Sequence, residues 1–163
     1  MKRFAIFFIF SLVLSAFGRE IPEFHLNDTE NRIRDYSEVK GEKLTVIDFW
    51  ATWCKPCIRS IPELVKIEKS FSGKGVSFVG ISTDGPRNQM KVKPVAKSLG
   101  ITYPVLIDIN GELAERLQIN VVPTLLIVNA QDKIVYRHQG YRAGDENEWI
   151  KEIEKNLTQE IQK

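Results

Sequence analysis

The chain has 163 residues, 43% hydrophobic and 27% charged, which suits one globular domain and excludes a disordered or fibrous protein. Its formal net charge of +2 comes from Lys2 and Arg3; without them basic and acidic residues balance at 21 each. No basic field remains, so no nucleic-acid partner is expected.

In chain order, Met1-Lys2-Arg3 supplies a positive patch, Phe4 to Phe17 is almost wholly apolar, and Ala16 and Gly18 are small residues at the −3 and −1 places. That is the layout of a secretory signal cleaved after Gly18. An uncleaved anchor is the alternative, although the run falls short of the ~20 residues a spanning helix needs. Residues 19–163 show no repeat, low-complexity tract or linker and read as one domain. Residues 22 to 43 place Phe24, Leu26, Ile33, Tyr36 and Val39 between polar turns, a loosely strand-bearing lead-in ending at Gly41. Leu44 to Trp50 is a near-continuous apolar run, as expected of a strand covered on both faces. Apolar residues at 58, 61, 64, 65 and 71 predict an amphipathic helix from Pro56 to Phe71, kinked at Pro62. Val76 to Ile81 reads as a second buried strand. The turn Thr83 to Pro86 leads to a helix from about Asn88 to Leu99, interrupted at Pro94 and stopped at Gly100. Pro104 to Ile107 forms a third short strand and a short helix runs through Leu117. Thr124 to Val128 and Ile134 to Arg137 make a strand pair, and Asp145 caps a last helix burying Trp149, Ile150, Ile153 and Leu157. The pattern predicts an α/β sandwich with a mixed sheet.

The chain contains only 2 cysteines, Cys54 and Cys57, in the stretch WATWCKPC. A bridge across so short a loop removes little entropy from the unfolded chain, so a structural staple explains the pair poorly. Zinc wants four ligands, and His25 and His138 lie far off in the sequence; no metal is assigned. Redox chemistry fits better. Just after a buried strand, the first sulfur stands at a helix N-terminus, where free N–H groups and the helix dipole favour a thiolate. The sequence predicts an exposed attacking Cys54 and a shielded, resolving Cys57 one turn inside.

Val46-Ile47-Asp48-Phe49-Trp50-Ala51-Thr52-Trp53-Cys54-Lys55-Pro56-Cys57 resembles the active-site strand and turn of the thioredoxin superfamily. Phe24-His25-Leu26, Pro62 and the insertion around residues 84 to 104 resemble its exported TlpA/ResA branch, which includes the cytochrome c maturation reductants. Val122-Pro123-Thr124 matches that family's cis-proline loop. The resemblance implies a three-layer sandwich, a central mixed sheet with helices on both faces, carrying an N-terminal extension and a central insertion. It also implies a cis bond before Pro123 that turns the Val122 backbone toward the substrate chain. Asp48 matches the buried aspartate that relays the proton of the resolving cysteine, and burial in its apolar run would raise its pKa.

Pro56 has no N–H to offer Cys54, while Lys55 adds a nearby positive charge that partly offsets this. A less stabilised thiolate makes the dithiol more readily oxidised, hence a reductant. Trp50 reads as core, and Trp53 as part of the apolar contact surface. The catalytic set is thus Cys54, Cys57 and Asp48; the substrate-binding set is Trp53, Lys55, Pro56, Val122 and Pro123. Arg87 should share their sheet edge but reads as a solvated charge, and the histidines receive no role. Ser60 stands where some cytochrome-maturation members carry an acidic residue, which weakens a narrow apocytochrome assignment.

The expected protein is an extracytoplasmic, periplasmic-type disulfide reductase, monomeric, with no cofactor beyond the Cys54–Cys57 couple. Its partners would be disulfide-bearing exported proteins and a membrane thiol electron donor. A peroxiredoxin-like thiol peroxidase and a thioredoxin-fold binding or assembly factor remain the alternatives.

Overall fold

A computed structural model describes residues 19–162; the signal or anchor expected over residues 1–18 lies outside the described residues. Among the described residues no helix is long and apolar enough to cross a membrane.

The run Leu44–Trp50 forms β3, all seven residues of which are buried. It lies between β4 (Val76–Ser82), parallel to it, and β6 (Thr124–Asn129), antiparallel. Around these three the sheet extends to β5 (Val105–Ile107) beside β4, to β1 (His25–Asp28) and β2 (Ile33–Asp35) at one edge, and to β7 (Ile134–Gln139) at the other. The order is β2-β1-β5-β4-β3-β6-β7, a mixed sheet with parallel pairs only among β3, β4 and β5.

Side-chain alternation along the strands divides the core in two. Val46 and Trp50 of β3, with Phe78, Leu125 and Ile127, pack against α2 (Lys55–Phe71), α3 (Gln89–Ser98) and α5 (Asp145–Ile161). Ile47 and Phe49, with Val79, Ile81 and Leu126, pack against α1 (Tyr36–Val39), α4 (Glu112–Arg116) and the lead-in residues Ile21 and Phe24. The fold is therefore the expected three-layer α/β sandwich.

Three local expectations change. The lead-in contains a helical turn, α1, started by a capping box between Asp35 and Glu38. Pro94 does not interrupt α3, because it sits on the exposed side, where the carbonyl one turn back can turn to water. Asp145 is the first residue of α5 and not its cap. Gly144 holds the cap position at φ 108°, and the Asp145 carboxylate instead accepts from the Arg142 N–H (2.7 Å) and pairs with His138 Nε2 (3.1 Å).

β3 starts from a tight approach at Gly41, whose N–H donates to Thr45 Oγ1 at 3.0 Å. A Cβ there would collide with the Leu44 carbonyl oxygen and come within 2.8 Å of the Ser77 nitrogen, both backbone atoms that cannot rotate aside. Gly41→Ala should therefore lower stability by more than about 2 kcal/mol, read from the urea unfolding midpoint.

Candidate active site

β3 delivers the chain to the sheet edge, where it must reverse into α2. Cys54 takes the N-cap position of that 17-residue helix, and its sulfur accepts the Cys57 N–H at 3.2 Å. The two sulfurs are joined in a disulfide with an S–S distance of 2.08 Å. Lys55 is exposed at the first helical position, and Pro56, at the second, supplies no N–H. The helix end thus turns the Cys57 N–H and the positive end of its dipole toward the Cys54 sulfur.

The expectation of an exposed Cys54 needs correction: the residue is 4% accessible and Cys57 is fully buried. Its sulfur is covered by the bond to Cys57 and by the Val122 carbonyl oxygen, 3.5 Å away. In the disulfide this sulfur has no proton, so the contact is van der Waals; in the dithiol the Cys54 S–H can donate to that carbonyl. The Val122–Pro123 bond is cis, and Pro123 is buried beneath the loop.

Apolar surface surrounds the covered disulfide. Trp53 is 63% exposed on one side and Val121 51% on the other, whereas Trp50 is fully buried in the core. Pro56, Val121, Val122, Tyr141 and Arg142 line a groove of about 470 Å3 running from the disulfide toward the start of α5. The structure thus brings together Trp53, Lys55, Pro56, Val122 and Pro123 around Cys54. Arg87 is exposed beyond the end of β4. His25 stands elsewhere, bound to Asp35, whereas His138, between Tyr136 and Asp145, lines that groove.

Asp48 lies two residues before Trp50 on the same face of β3, the face that carries α2. It is 3% accessible, and burial alone lifts its carboxyl to about 7, while Oδ2 has no hydrogen-bond partner. A carboxyl with that value is poised to exchange protons near neutrality. Ser60, one turn beyond Cys57, is also buried and donates to the Cys57 carbonyl at 3.1 Å.

Sequence reasoning missed Asp84. Its fully buried carboxylate accepts from the Thr52 N–H (2.8 Å), the Thr52 hydroxyl (2.7 Å) and the Ser82 hydroxyl (2.9 Å). Together with the Thr83 N–H to the Trp50 carbonyl, at 2.8 Å, it ties the end of β4 to the turn presenting Trp53 and Cys54. The signal was available: in parallel register Trp50 faces Ser82, so residues two further along each strand, Thr52 and Asp84, meet at one edge.

Comparison with known proteins places this geometry. A family model described as the AhpC/TSA family matches residues 17–137. The thiol-disulfide oxidoreductase ResA of Bacillus subtilis (strain 168) is 30% identical over 118 residues, covering 72% of this chain and 64% of that protein. The chain thus spans a little under two thirds of that relative's length. The thioredoxin-like protein YneN of the same organism is 30% identical over 124 residues, 76% of this chain and 71% of that protein. Among solved structures, an uncharacterized thioredoxin-like protein from Porphyromonas gingivalis is 32% identical with a TM-score of 0.72, covering 85% of this chain and 92% of that one. The fold is thioredoxin-like.

Two outcomes follow from the buried carboxylates. The native Asp48 carboxyl binds its proton up to about pH 7, but the unfolded one only to its ordinary 3.8. Stability is therefore lost as pH rises from about 4 through 7, by at most about 4 kcal/mol. Asp48→Asn, neutral throughout, should be more stable than the parent at pH 8.5, with the gap closing at pH 4, in denaturant titrations of the oxidised forms. Asp84→Ala leaves the Thr52 donors unsatisfied and should cost about 3 kcal/mol in the same titration.

Proposed function

This chain belongs to the AhpC/TSA family, and from that premise we propose that it is a thiol-disulfide oxidoreductase acting outside the cytoplasm as a reductant of disulfides in exported proteins. The observation that carries the reading is the Cys54–Cys57 disulfide closed across the first turn of α2, with a buried carboxyl behind it and an apolar rim in front. Two sulfurs one helical turn apart can cycle between dithiol and disulfide with little rearrangement.

In the reduced protein the Cys54 thiolate, held by the Cys57 N–H and the helix end, attacks one sulfur of a substrate disulfide. A mixed disulfide forms and the other substrate sulfur leaves as a thiolate. The substrate chain lies against Trp53 and along the Val122 backbone, where extended pairing is open to it. Cys57 then gives its proton to the Asp48 carboxylate and attacks Cys54. The mixed bond breaks, the second substrate sulfur leaves, and the Cys54–Cys57 bond is restored. Two electrons have moved from protein to substrate.

The direction rests on Pro56. With that N–H missing, the Cys54 thiolate has fewer donors, which favours giving up electrons. An oxidising compartment offers no glutathione pool to recharge the couple, so a membrane thiol electron donor is required. Ser60, in the place of the acidic residue of some cytochrome-maturation members, favours a range of exported substrates, apocytochrome c being one candidate among them.

In Cys57→Ala the first attack remains and the second is lost. Incubated with insulin, that variant should accumulate a mixed disulfide through Cys54, with turnover reduced at least about 100-fold. The parent protein should reduce insulin and leave hydrogen peroxide unconsumed. Peroxide turnover without insulin reduction would identify a peroxidase instead. Unaltered cellular function in Cys57→Ala would identify a binding factor.

A further inference from the structure

The groove beside the disulfide, about 470 Å3 in volume, contains one charged group that the protein leaves without a partner. Pro56 and Val122 line it next to Cys54, and Arg142 and Asp145 line it at the start of α5. Gly140 lends it bare backbone, since its φ is 83° and a Cβ there would meet nothing within 4 Å. Tyr141 is a fixed wall. Its hydroxyl donates to Glu146 Oε2 at 3.1 Å, and its ring lies 5.5 Å from that of Trp149. The groove is therefore shaped before a substrate arrives, which lowers the ordering cost of binding.

The acidic groups at this groove are committed within the protein. The Asp145 carboxylate accepts the Arg142 backbone N–H at 2.7 Å and pairs with His138 at 3.1 Å. Glu146 accepts the Gly144 N–H at 2.9 Å besides the Tyr141 hydroxyl. Glu63, whose charge acts on Tyr141 from α2, pairs with Lys66 at 2.8 Å. The cations are not committed. Among the described residues the exposed Arg142 guanidinium has no hydrogen-bond or ion-pair partner, although Asp145 and Glu146 follow three and four positions on. Lys55 and Arg59, on either side of Pro56 in α2, are likewise exposed and unpaired among the described residues. Positive charge is thus in surplus beside the disulfide. The planar fork of an arginine fits a carboxylate with two parallel hydrogen bonds. The apolar side chains of Pro56, Val121 and Val122 displace part of the water that weakens such a pair on an open surface.

We propose that this groove receives the substrate chain on one side of its reacting cysteine, and that Arg142 pairs there with a substrate carboxylate. The preferred substrates are then exported disulfides flanked on that side by Asp or Glu. The inference rests on the disulfide-reductase reading and names the substrate class for it. The occupant is an extended polypeptide, because the groove starts at the Val122 backbone beside the reacting sulfur and continues past the bare backbone of Gly140. Arg142 touches no reacting atom. It sets which chains are held with their sulfur against Cys54, and so it is a specificity residue.

The test uses the full reduced chain and short alanine–serine peptides, each with one cysteine joined to thionitrobenzoate in a disulfide. Glutamate, glutamine or lysine stands a few residues before or after that cysteine. Cys54 attacks the peptide sulfur, thionitrobenzoate leaves as the better leaving group, and Cys57 then displaces the peptide as a thiol. Two electrons pass to each peptide disulfide, and the released thionitrobenzoate reports the second-order rate constant. With glutamate on one side of the cysteine, that constant should exceed the matching glutamine peptide's about fivefold in low salt. In about 1 M salt, where the screening length falls to ~3 Å, the ratio should approach one. Arg142→Gln should bring the ratio to about one in low salt, and Arg142→Glu should reverse the order, with the lysine peptide fastest. Each ratio compares two substrates on one protein, so a general loss of activity in a variant cancels. A parent ratio near one at every position overturns the assignment, as does a glutamate preference that survives Arg142→Gln. An equal preference on both sides of the cysteine also overturns it, since the general field of Lys55 and Arg59 would then be acting. If the parent releases no thionitrobenzoate and reduces no insulin, the reductase reading itself fails. Insulin reduction with a ratio of one leaves that reading standing and removes only the role of Arg142.

Discussion

The structure depends on one junction: a strand buried on both faces has to end at the surface and hand its chain to a helix within a few residues. Burial of Leu44–Trp50 supplies the rigidity, because no residue of that run can move without disturbing one of the two half-cores. The helix supplies the chemistry, because its first turn has N–H groups with no partner inside the helix. Cys54 stands where these meet. Its sulfur is placed by the strand, acted on by the helix end and covered by the Val122 carbonyl, two constraints from the flanking chain and one from 68 residues away.

Asp84 and the cis-proline loop brace the junction from opposite sides. Asp84 gathers both Thr52 donors and the Ser82 hydroxyl, which locks the outgoing turn to β4. The loop is tied in turn, with the Thr124 hydroxyl donating to the Val121 carbonyl at 2.6 Å and the Gly140 N–H to the Pro123 carbonyl at 2.8 Å. Trp53 and Val121 can therefore stay exposed without collapsing inward, which keeps an apolar rim available to a partner chain.

Much of this was legible in the sequence, and the exceptions share a cause. A continuous apolar run announces β3, and apolar spacing announces α2, because both signals are local. Asp48 stood out for the same reason: a carboxylate without turn residues beside it inside such a run has to be buried. The helical turn Tyr36–Val39 was harder, since four residues are too few to show a period, although Asp35 and Glu38 spell its capping box. The placement of β5 between β1 and β4 depends on pairings that no local pattern contains. Asp84 escaped notice because it belongs to the site through the sheet and not through the chain. Cys54 was expected exposed because sequence reasoning pictures a free thiol at a helix end and omits the loop folded over it from 68 residues away.

On the proposed reading, the same separation lets one small site handle electrons and protons without conflict. Electron transfer needs sulfur-to-sulfur contact at the rim, where the substrate must press closely enough to exclude water. Proton transfer needs a group whose affinity lies near ambient pH, and in a domain of this size that calls for removing a carboxyl from solvent. Both demands are met by successive residues of β3 and α2 because a strand alternates its faces and a helix returns to the same side every turn. Asp48 and Trp50 fall on the side that α2 covers, and Cys57 enters that side one turn after Cys54 leaves the surface. The cost is a carboxyl that destabilises the native state whenever it is ionised. It is a cost confined to the ionised state, the one that would accept a proton in the proposed resolving step.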